Sequence, residues 1–453
     1  MAATGEWDVD VVVVGAGVTG LTAAYRLHQH GRSVVVLEAR DRVGGRLLTE
    51  ERDGVRLEVG GQWVSPDQTA LLGLLDELGL ETYERYRAGA SLYIGRDGER
   101  RQFTGDAMPV SESTAREMDR LTVELDRLAA QMDPLSPWEH PDAEALDRVT
   151  FAAWLEQQTD DVEARDNIGL YIGPAMITKP THAFSALTAV LMASSAGGFS
   201  HLLDADFILD RRVAGGLQNV PLELAARLGD RVRLGSPVTR IAWDDAGVEV
   251  HTADAVHRAG RAILAVPPTL VSRVTFEPPL PAVHQQMRQH QSFGLVLKLH
   301  LTYATPFWRD HGLSGTGFSP YETVHELYDN TNEDLATAGD ARGTLVGFVS
   351  DVRADELLAL SAAERREQVL ASVARYLGEQ ALDPEAYYES PWMAEEWTAG
   401  AYATSFDVGS LTRYGPHLRE RVGPLAFASS DVAGLGFQHV DGAIRMGEAA
   451  AED

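Results

Sequence analysis

Residues 8–46, DVDVVVVGAGVTGLTAAYRLHQHGRSVVVLEARDRVGGR, decide the fold. Val11 to Val14 form an apolar β-branched run, the composition of a buried strand. It leads directly into Gly15-Ala16-Gly17-Val18-Thr19-Gly20, after which Leu21, Ala24 and Leu27 recur at helical spacing. Ser33 to Leu37 read as a second strand, closed by Glu38. Strand, glycine turn, helix, strand and terminal acid together make a dinucleotide-binding βαβ unit. Gly15, Gly17 and Gly20 permit a tight turn and a close approach of backbone to a pyrophosphate, which the helix N-terminus attracts. Glu38 stands 18 residues beyond Gly20, where a carboxylate accepts from ribose hydroxyls.

The residues after Glu38 separate FAD from NAD. Arg40-Asp41-Arg42-Val43-Gly44-Gly45-Arg46 comes almost directly after the acid, and Gly60-Gly61-Gln62-Trp63 soon after that. Here the chain resembles the flavin-containing amine oxidase family, which includes monoamine and polyamine oxidases. The resemblance implies that Arg40, Gly45 and Arg46 wrap the FAD phosphates and that Gly61, Gln62 and Trp63 pass close to the flavin. A solvated basic turn is the plainer alternative, but arginine forks match the oxygens of a dianionic diphosphate.

At 453 residues the chain suggests two intertwined domains. Apolar residues at 44% and charged residues at 23% suit an ordinary globular protein. With no cysteine, disulfides, thiolate metal sites and thioether-linked cofactors are excluded, and a cytoplasmic setting fits. The start, MAATGEWDVD, lacks the basic and apolar regions of a signal peptide. No apolar run reaches the about 18 residues of a membrane span. The net charge of −28 speaks against nucleic acid and anionic membrane, and would concentrate a cationic substrate or simply maintain solubility.

The expected fold is a Rossmann-type α/β FAD-binding domain interleaved with a mixed-sheet and helical substrate domain. The FAD-binding segments are expected at 1–80, 210–284 and 423–453, and the substrate-binding segments at 81–209 and 285–422. Residues 68–78 read as a helix ending at Gly79, and Tyr83 to Phe103 as short strands broken at Asp97-Gly98. Residues 111–200 are helical in pattern, with Met118, Leu121, Leu125 and Leu128 on one face and interruptions at Asp133-Pro134 and Pro137 to Pro141. Strands are expected at Val232–Leu234, Val238–Trp243 and Val248–Thr252. The family's G-G-x-Q step corresponds to Gly215 to Gln218. Its P-V step, whose valine backbone meets the adenine, corresponds to Pro237-Val238.

Four later positions carry the chemistry. Lys298 lies in the apolar run FGLVLKLH ahead of Pro306-Phe307-Trp308. A lysine there is costly without a task or partner, unless it guards an edge strand. By resemblance it stands near flavin N5, often through a water, where a cation would favour reaction of reduced flavin with O2. Trp392 and Tyr402 lie in WMAEEWTAGAYATSF. Tyr402 corresponds to one wall of the family's aromatic cage. Ala401 stands where mitochondrial members carry the cysteine joined to the flavin, so the FAD is expected to be non-covalent.

In the terminal run FASSD and GFQHVDGA, Ser430 and Asp431 correspond to the turn that reaches the ribityl chain. The N–H groups near Val440 correspond to the helix start at the flavin pyrimidine, suited to charge on the reduced ring. His439 takes the second cage position, and Ser429 replaces a usual glycine, which puts that turn's geometry in question. The chain stops at Asp453, so the last helix is expected either to be short or to have a tail that is not included. Finally, Glu326 in ETVHELY takes the position three residues before Asp329-Asn330-Thr331 that lines the substrate cavity in monoamine oxidases. An alternating strand would put Glu322, Val324, Glu326 and Tyr328 on one face, either solvated or with Glu326 receiving a distal ammonium. Asp204 and Asp206 are placed to assist at the entrance.

The resemblance therefore implies an FAD-dependent oxidase of a small cationic amine, closest to the bacterial members that act on short diamines, putrescine first. The amine would lie between Tyr402 and His439 and give a hydride to flavin N5, with O2 as acceptor. 4-Aminobutanal, ammonia and hydrogen peroxide would be the products. No nucleic acid, membrane or metal partner is expected, and a homodimer is compatible. The alternatives are a monoamine or polyamine oxidase, and, from another class, a flavin-binding sensor without turnover.

Overall fold

The computed structural model describes residues 7–452 except 106, 337, 338, 340 and 341. The first six residues and Asp453, on which the leader and tail expectations fall, lie outside the described residues. Among the described residues no helix is long and apolar enough to cross a membrane.

The opening stretch forms the centre of an eight-stranded sheet. Val9–Val14 pairs in parallel with Val34–Leu37 on one side and with Val256–Leu264 on the other. Val11 to Val14 are buried, as a run apolar on both faces requires. Val232–Arg233 extends the sheet beyond Val34–Leu37. Val256–Leu264 divides its other edge, pairing antiparallel with Gly247–His251 through its first half and parallel with Leu425–Phe427 through its second. Arg240–Asp244 and Thr275–Glu277 complete the sheet. Three separate stretches of chain thus converge on one sheet. The expected strands lie within two residues of those observed.

Val18–Gln29 packs on the last helix, Val440–Glu452. Both helices come close because the contact is made of small residues: a Cβ on Gly447 would lie 2.5 Å from the Thr19 carbonyl oxygen. Thr69–Leu78 ends at Gly79 in the left-handed conformation (φ +72°), the expected glycine stop.

A second sheet has seven strands, in the order Ala386–Glu389, Val296–Tyr303, Gly343–Ser350, Glu326–Asp329, Leu313–Phe318, Ala90–Ile94 and Arg100–Phe103. The helices between 112 and 208 pack against one another beside it. In Glu112–Ala130, Leu121, Leu125 and Leu128 are buried, and Ser111 caps the N-terminus by accepting from the Thr114 N–H.

Candidate active site

The cofactor arm begins at the glycine turn. Gly15 has φ +102°, and a Cβ there would lie 2.7 Å from the Ala265 carbonyl oxygen, so only glycine fits. Gly17 differs: a Cβ built on it meets nothing within 4 Å. Its open side is the wall of a cavity of about 340 Å³, which Gly15 and Gly45 also line. Gly20 does not line that cavity. A Cβ on it would lie 2.0 Å from the Gly15 carbonyl oxygen. Gly20 lets the helix pack closely onto the turn. The helix N-terminus at Gly17 has neither a side-chain cap nor an acid in its first turn, which leaves it suited to an anion.

Glu38 is buried at one end of this cavity, accepting from the Ala16 N–H (2.7 Å) and the Arg40 N–H (3.0 Å). Val238 lines the same end with Leu270, Val274 and Trp397. The two arginines are engaged more fully than their pattern shows. Arg40 forks onto Glu395 (2.6 and 3.0 Å) and Thr398 Oγ1 (2.6 Å). Arg46 forks onto Asp431 (2.6 and 3.2 Å) and donates to the Tyr402 carbonyl (3.0 Å). Both still line the cavity, so each offers it a guanidinium already oriented by a carboxylate.

Asp431 itself is off the cavity wall. Its oxygens serve Arg46 and the Thr404 N–H, and Arg46 beside it holds the carboxyl below its ordinary value despite full burial. Asp431 thus positions Arg46, and its neighbour Ser430 lines the wall. Ser429, where a glycine is usual, has φ −165°, an extended backbone that any residue adopts.

Lys298 lies on Val296–Tyr303, which pairs on both sides with Gly343–Ser350 and Ala386–Glu389. It is an interior strand, so guarding an edge does not explain the lysine. The ammonium donates to the carbonyl oxygens of Glu58 (2.6 Å) and Gly60 (2.8 Å) and to Gln62 Oε1 (2.5 Å). The Trp63 and Phe348 rings flank it at 5.7 and 6.0 Å. Burial pushes its pKa down to about 7, with Glu58 opposing and Arg212 reinforcing the shift. Glu58 is already paired with buried Arg212 at 2.6 Å, which leaves Lys298 held by neutral oxygens.

Tyr402, His439 and Trp392 line the cavity. The Trp392 indole N–H donates to the Val59 carbonyl (2.9 Å), tying this loop to the first segment. The Tyr402 ring meets Phe348 edge-on at 6.2 Å. Burial first, and then the charge of Glu326, raise the Tyr402 phenol well above its ordinary value. His439 Nδ1 lies 2.8 Å from the Phe437 carbonyl oxygen and donates to it, leaving Nε2 as the lone-pair nitrogen of the neutral ring. Val440 begins the last helix and also lines the wall.

Glu326 is 7% exposed and lines the cavity with Tyr328, Tyr171 and Phe348. One oxygen accepts from the Tyr328 hydroxyl at 2.7 Å, and the other lies 3.3 Å from His325 Nδ1 without hydrogen-bond geometry. No lysine or arginine among the described residues pairs with it. The strand begins only at Glu326, so the expected alternation from 322 does not hold. Glu322 is buried elsewhere, paired with Arg375 at 2.7 Å and Ser372 at 3.2 Å. Neither carboxylate belongs to a solvated face.

Asp206, expected to assist at the entrance, is held by an arginine. Its carboxylate is largely exposed, pairs with buried Arg85 at 3.1 Å and does not line the cavity. Asp204 accepts from the Asp206 and Phe207 N–H groups as a helix cap. Their apolar neighbours Leu202, Ala205, Ile208 and Leu209 face the cavity instead. Sequence reasoning passed over these, and also Tyr328 and Phe348. Only Tyr328, two residues from Glu326, carried a signal that could have found it.

These residues fit FAD. A buried carboxylate, apolar side chains, an uncapped helix N-terminus and oriented arginines line one cavity. Three buried polar atoms of lining residues, Trp63 Nε1, Gln68 Oε1 and Gln438 Oε1, have no hydrogen-bond partner among the described residues.

Comparison with known proteins gives the family. The family model of flavin containing amine oxidoreductases matches residues 18–453, and the chain belongs to that family. Over 98% of its length it is 56% identical to putrescine oxidase of Kocuria rosea, covering 94% of that protein. Its fold superposes on a solved putrescine oxidase, wild type bound to putrescine, with a TM-score of 0.96 at 58% identity, covering 98% of both chains. Cyclohexylamine oxidase from Brevibacterium oxydans IH-35A superposes with a TM-score of 0.93 at 30% identity, again covering 98% of both chains. Members of the family are flavin enzymes, and FAD is the cofactor of this chain.

Proposed function

We propose that this protein oxidises one primary amine of a short aliphatic diamine, putrescine first, with O2 as acceptor. Putrescine, O2 and water would give 4-aminobutanal, ammonia and hydrogen peroxide. The carrying observation is Glu326, a buried carboxylate on an aromatic cavity wall with His325 Nδ1 at 3.3 Å and no lysine or arginine partner among the described residues. A buried charge left so is costly, and an arriving ammonium group would complete the pair. FAD, when bound, would supply the redox chemistry, a hydride acceptor for the amine α-carbon and an electron donor to O2.

The chain's own residues bind, orient and shield. Tyr402 and His439 flank the reacting amine, and the high pKa of Tyr402 keeps its phenol neutral. His439 offers Nε2 as an acceptor because Nδ1 is bound to the Phe437 carbonyl. Glu326 holds the second ammonium at the far end, with Tyr328 fixing the carboxylate. Tyr171, Phe318 and Phe348 make the wall between apolar, which suits a methylene chain and excludes water. Lys298, fixed by three oxygens, presents a cation to the oxygen step. Arg40 and Arg46 would hold the diphosphate, and the Val440 helix start would stabilise negative charge on the reduced ring.

We assign residues 1–80, 210–284 and 423–453 to FAD binding, and residues 81–209 and 285–422 to the substrate side. Oxygen consumption across a panel of monoamines, diamines and longer polyamines tests the substrate class. Diamines of about four carbons should be the best substrates. Equal turnover of butylamine and putrescine would sink the diamine assignment.

A further inference from the structure

The strand that carries Lys298 has a second polar feature outside the cavity. Lys298, His300 and Thr302 alternate onto one face of Val296–Tyr303. On that face the Lys298 ammonium reaches the Glu58 carbonyl in the hairpin of Thr49–Arg52 and Val55–Glu58. His300 is 1% exposed, yet neither ring nitrogen has a hydrogen-bond partner among the described residues. The Thr302 hydroxyl, equally buried, has none either. A neutral imidazole carries one donor and one acceptor in either tautomer, and leaving both unmade is costly. A row of such groups is the setting that ordered buried water requires.

The charged groups around His300 are mostly cations. Burial first, then Lys298, Arg212 and Arg52, hold the imidazole well below its ordinary value, so it stays neutral and keeps both hydrogen-bonding roles. Arg212 is paired with Glu58 and Arg52 with Glu50. Tyr388 stands opposite His300 in register on the neighbouring strand. Its hydroxyl bonds Asp53 at the hairpin tip, and Arg52 lies over its ring at 5.4 Å. Tyr388 and Arg52 are partly exposed, so the polar row that starts at Lys298 ends at solvent.

From this juxtaposition we infer that His300 and Thr302 hold a file of bound water that carries protons from solvent beside Tyr388 to the Lys298 ammonium. His300 is then a positioning residue for the oxygen half-reaction. The inference rests on the oxidase function proposed above. A neutral amine gives up a hydride and leaves as an iminium cation. O2 receives that hydride equivalent and one further proton to become H2O2. The Lys298 ammonium donates the further proton and regains one along the file.

Two measurements decide it, neither of which needs an amine. A crystal structure of the FAD-loaded enzyme should show ordered water bonded to the His300 ring and to Thr302 Oγ1, continuous to the surface at Tyr388. A dry His300 would overturn the inference. In stopped flow, enzyme reduced with dithionite is mixed with O2 across a pH series. His300→Phe should slow reoxidation at least ~10-fold, less than the about 100-fold low end for loss of a positioned proton donor because Lys298 itself remains. His300→Gln should restore most of the rate and its pH profile, because the amide again anchors water. Thr302→Val, a smaller change, should slow reoxidation in the same direction if His300→Phe fails to fold. Parent-like reoxidation in both His300→Phe and Thr302→Val would overturn the file. Water in place and slowed reoxidation, but no oxidation of any amine, would support the file and sink only the amine assignment.

Discussion

Replacing Glu326 by glutamine removes one charge and almost no volume. The amide oxygen can still accept from the Tyr328 hydroxyl, which lies 2.7 Å from the carboxylate. The change therefore isolates the charge. A hydrogen bond to a charged group contributes about 1.5–3 kcal/mol, equivalent to about 10- to 150-fold in kcat/KM at 1.36 kcal/mol per decade. Putrescine oxidation should fall by that factor in the Glu326→Gln variant, measured with an oxygen electrode under saturating O2. Butylamine, which has no distal charge, should hold or improve, because its methyl end no longer desolvates a carboxylate. The melting temperature of the variant should hold or rise, since a buried carboxylate without a cation weakens the fold. A common fall on both amines together with a lower melting temperature would mean that Glu326 is structural, and the diamine assignment would lose its main support.

Other outcomes rest on the same geometry. Gly17→Val should fold, since its side chain meets open space in the protein, but should fail to retain FAD; gel filtration and then the flavin absorbance ratio check this. Acid precipitation of the enzyme should release all its FAD into the supernatant, because Ala401 offers no thiol, and flavin left on the precipitated chain would contradict non-covalent binding. Lys298→Met should slow reoxidation by O2 more than it weakens amine binding, as read by stopped flow. Because burial lowers the Lys298 pKa to about 7, the ammonium is lost as pH rises through that value, so the parent's reoxidation rate should fall from pH 6 to pH 8.5 and that of Lys298→Met should not. The same depressed pKa makes the unfolded chain bind more protons than the folded one between about pH 7 and the ordinary lysine value. This lysine's burden on stability is therefore present below pH 7 and relieved above it.

What the sequence alone determined is local in origin. The strand, glycine turn, helix and Glu38 lie within one short stretch, so chain stiffness, apolar run length and glycine's missing Cβ specify them without help from elsewhere. The glycine stop of Thr69–Leu78 is of the same kind. Lys298 and Glu326 stood out because each carries a charge in an otherwise apolar or strand-like run, and the cost of burying a charge is legible in any context.

Only the tertiary structure decided which groups answer those charges. Arg46 finds Asp431, 385 positions away. Asp206 is claimed by Arg85, 121 positions away, and so turns from the cavity that its neighbours line. Glu322 and Glu326, four residues apart and alike in sequence, part company because Arg375 approaches one and no lysine or arginine among the described residues approaches the other. Lys298 reads in sequence as a costly cation whose partners lie elsewhere in the chain. The three oxygens that fix it come from residues 58 to 62, brought alongside by the hairpin that meets its strand. A charge announces itself in the sequence, but a Coulomb partner or a hydrogen-bond acceptor is a fact of distance, and distances between remote residues exist only after the chain has folded.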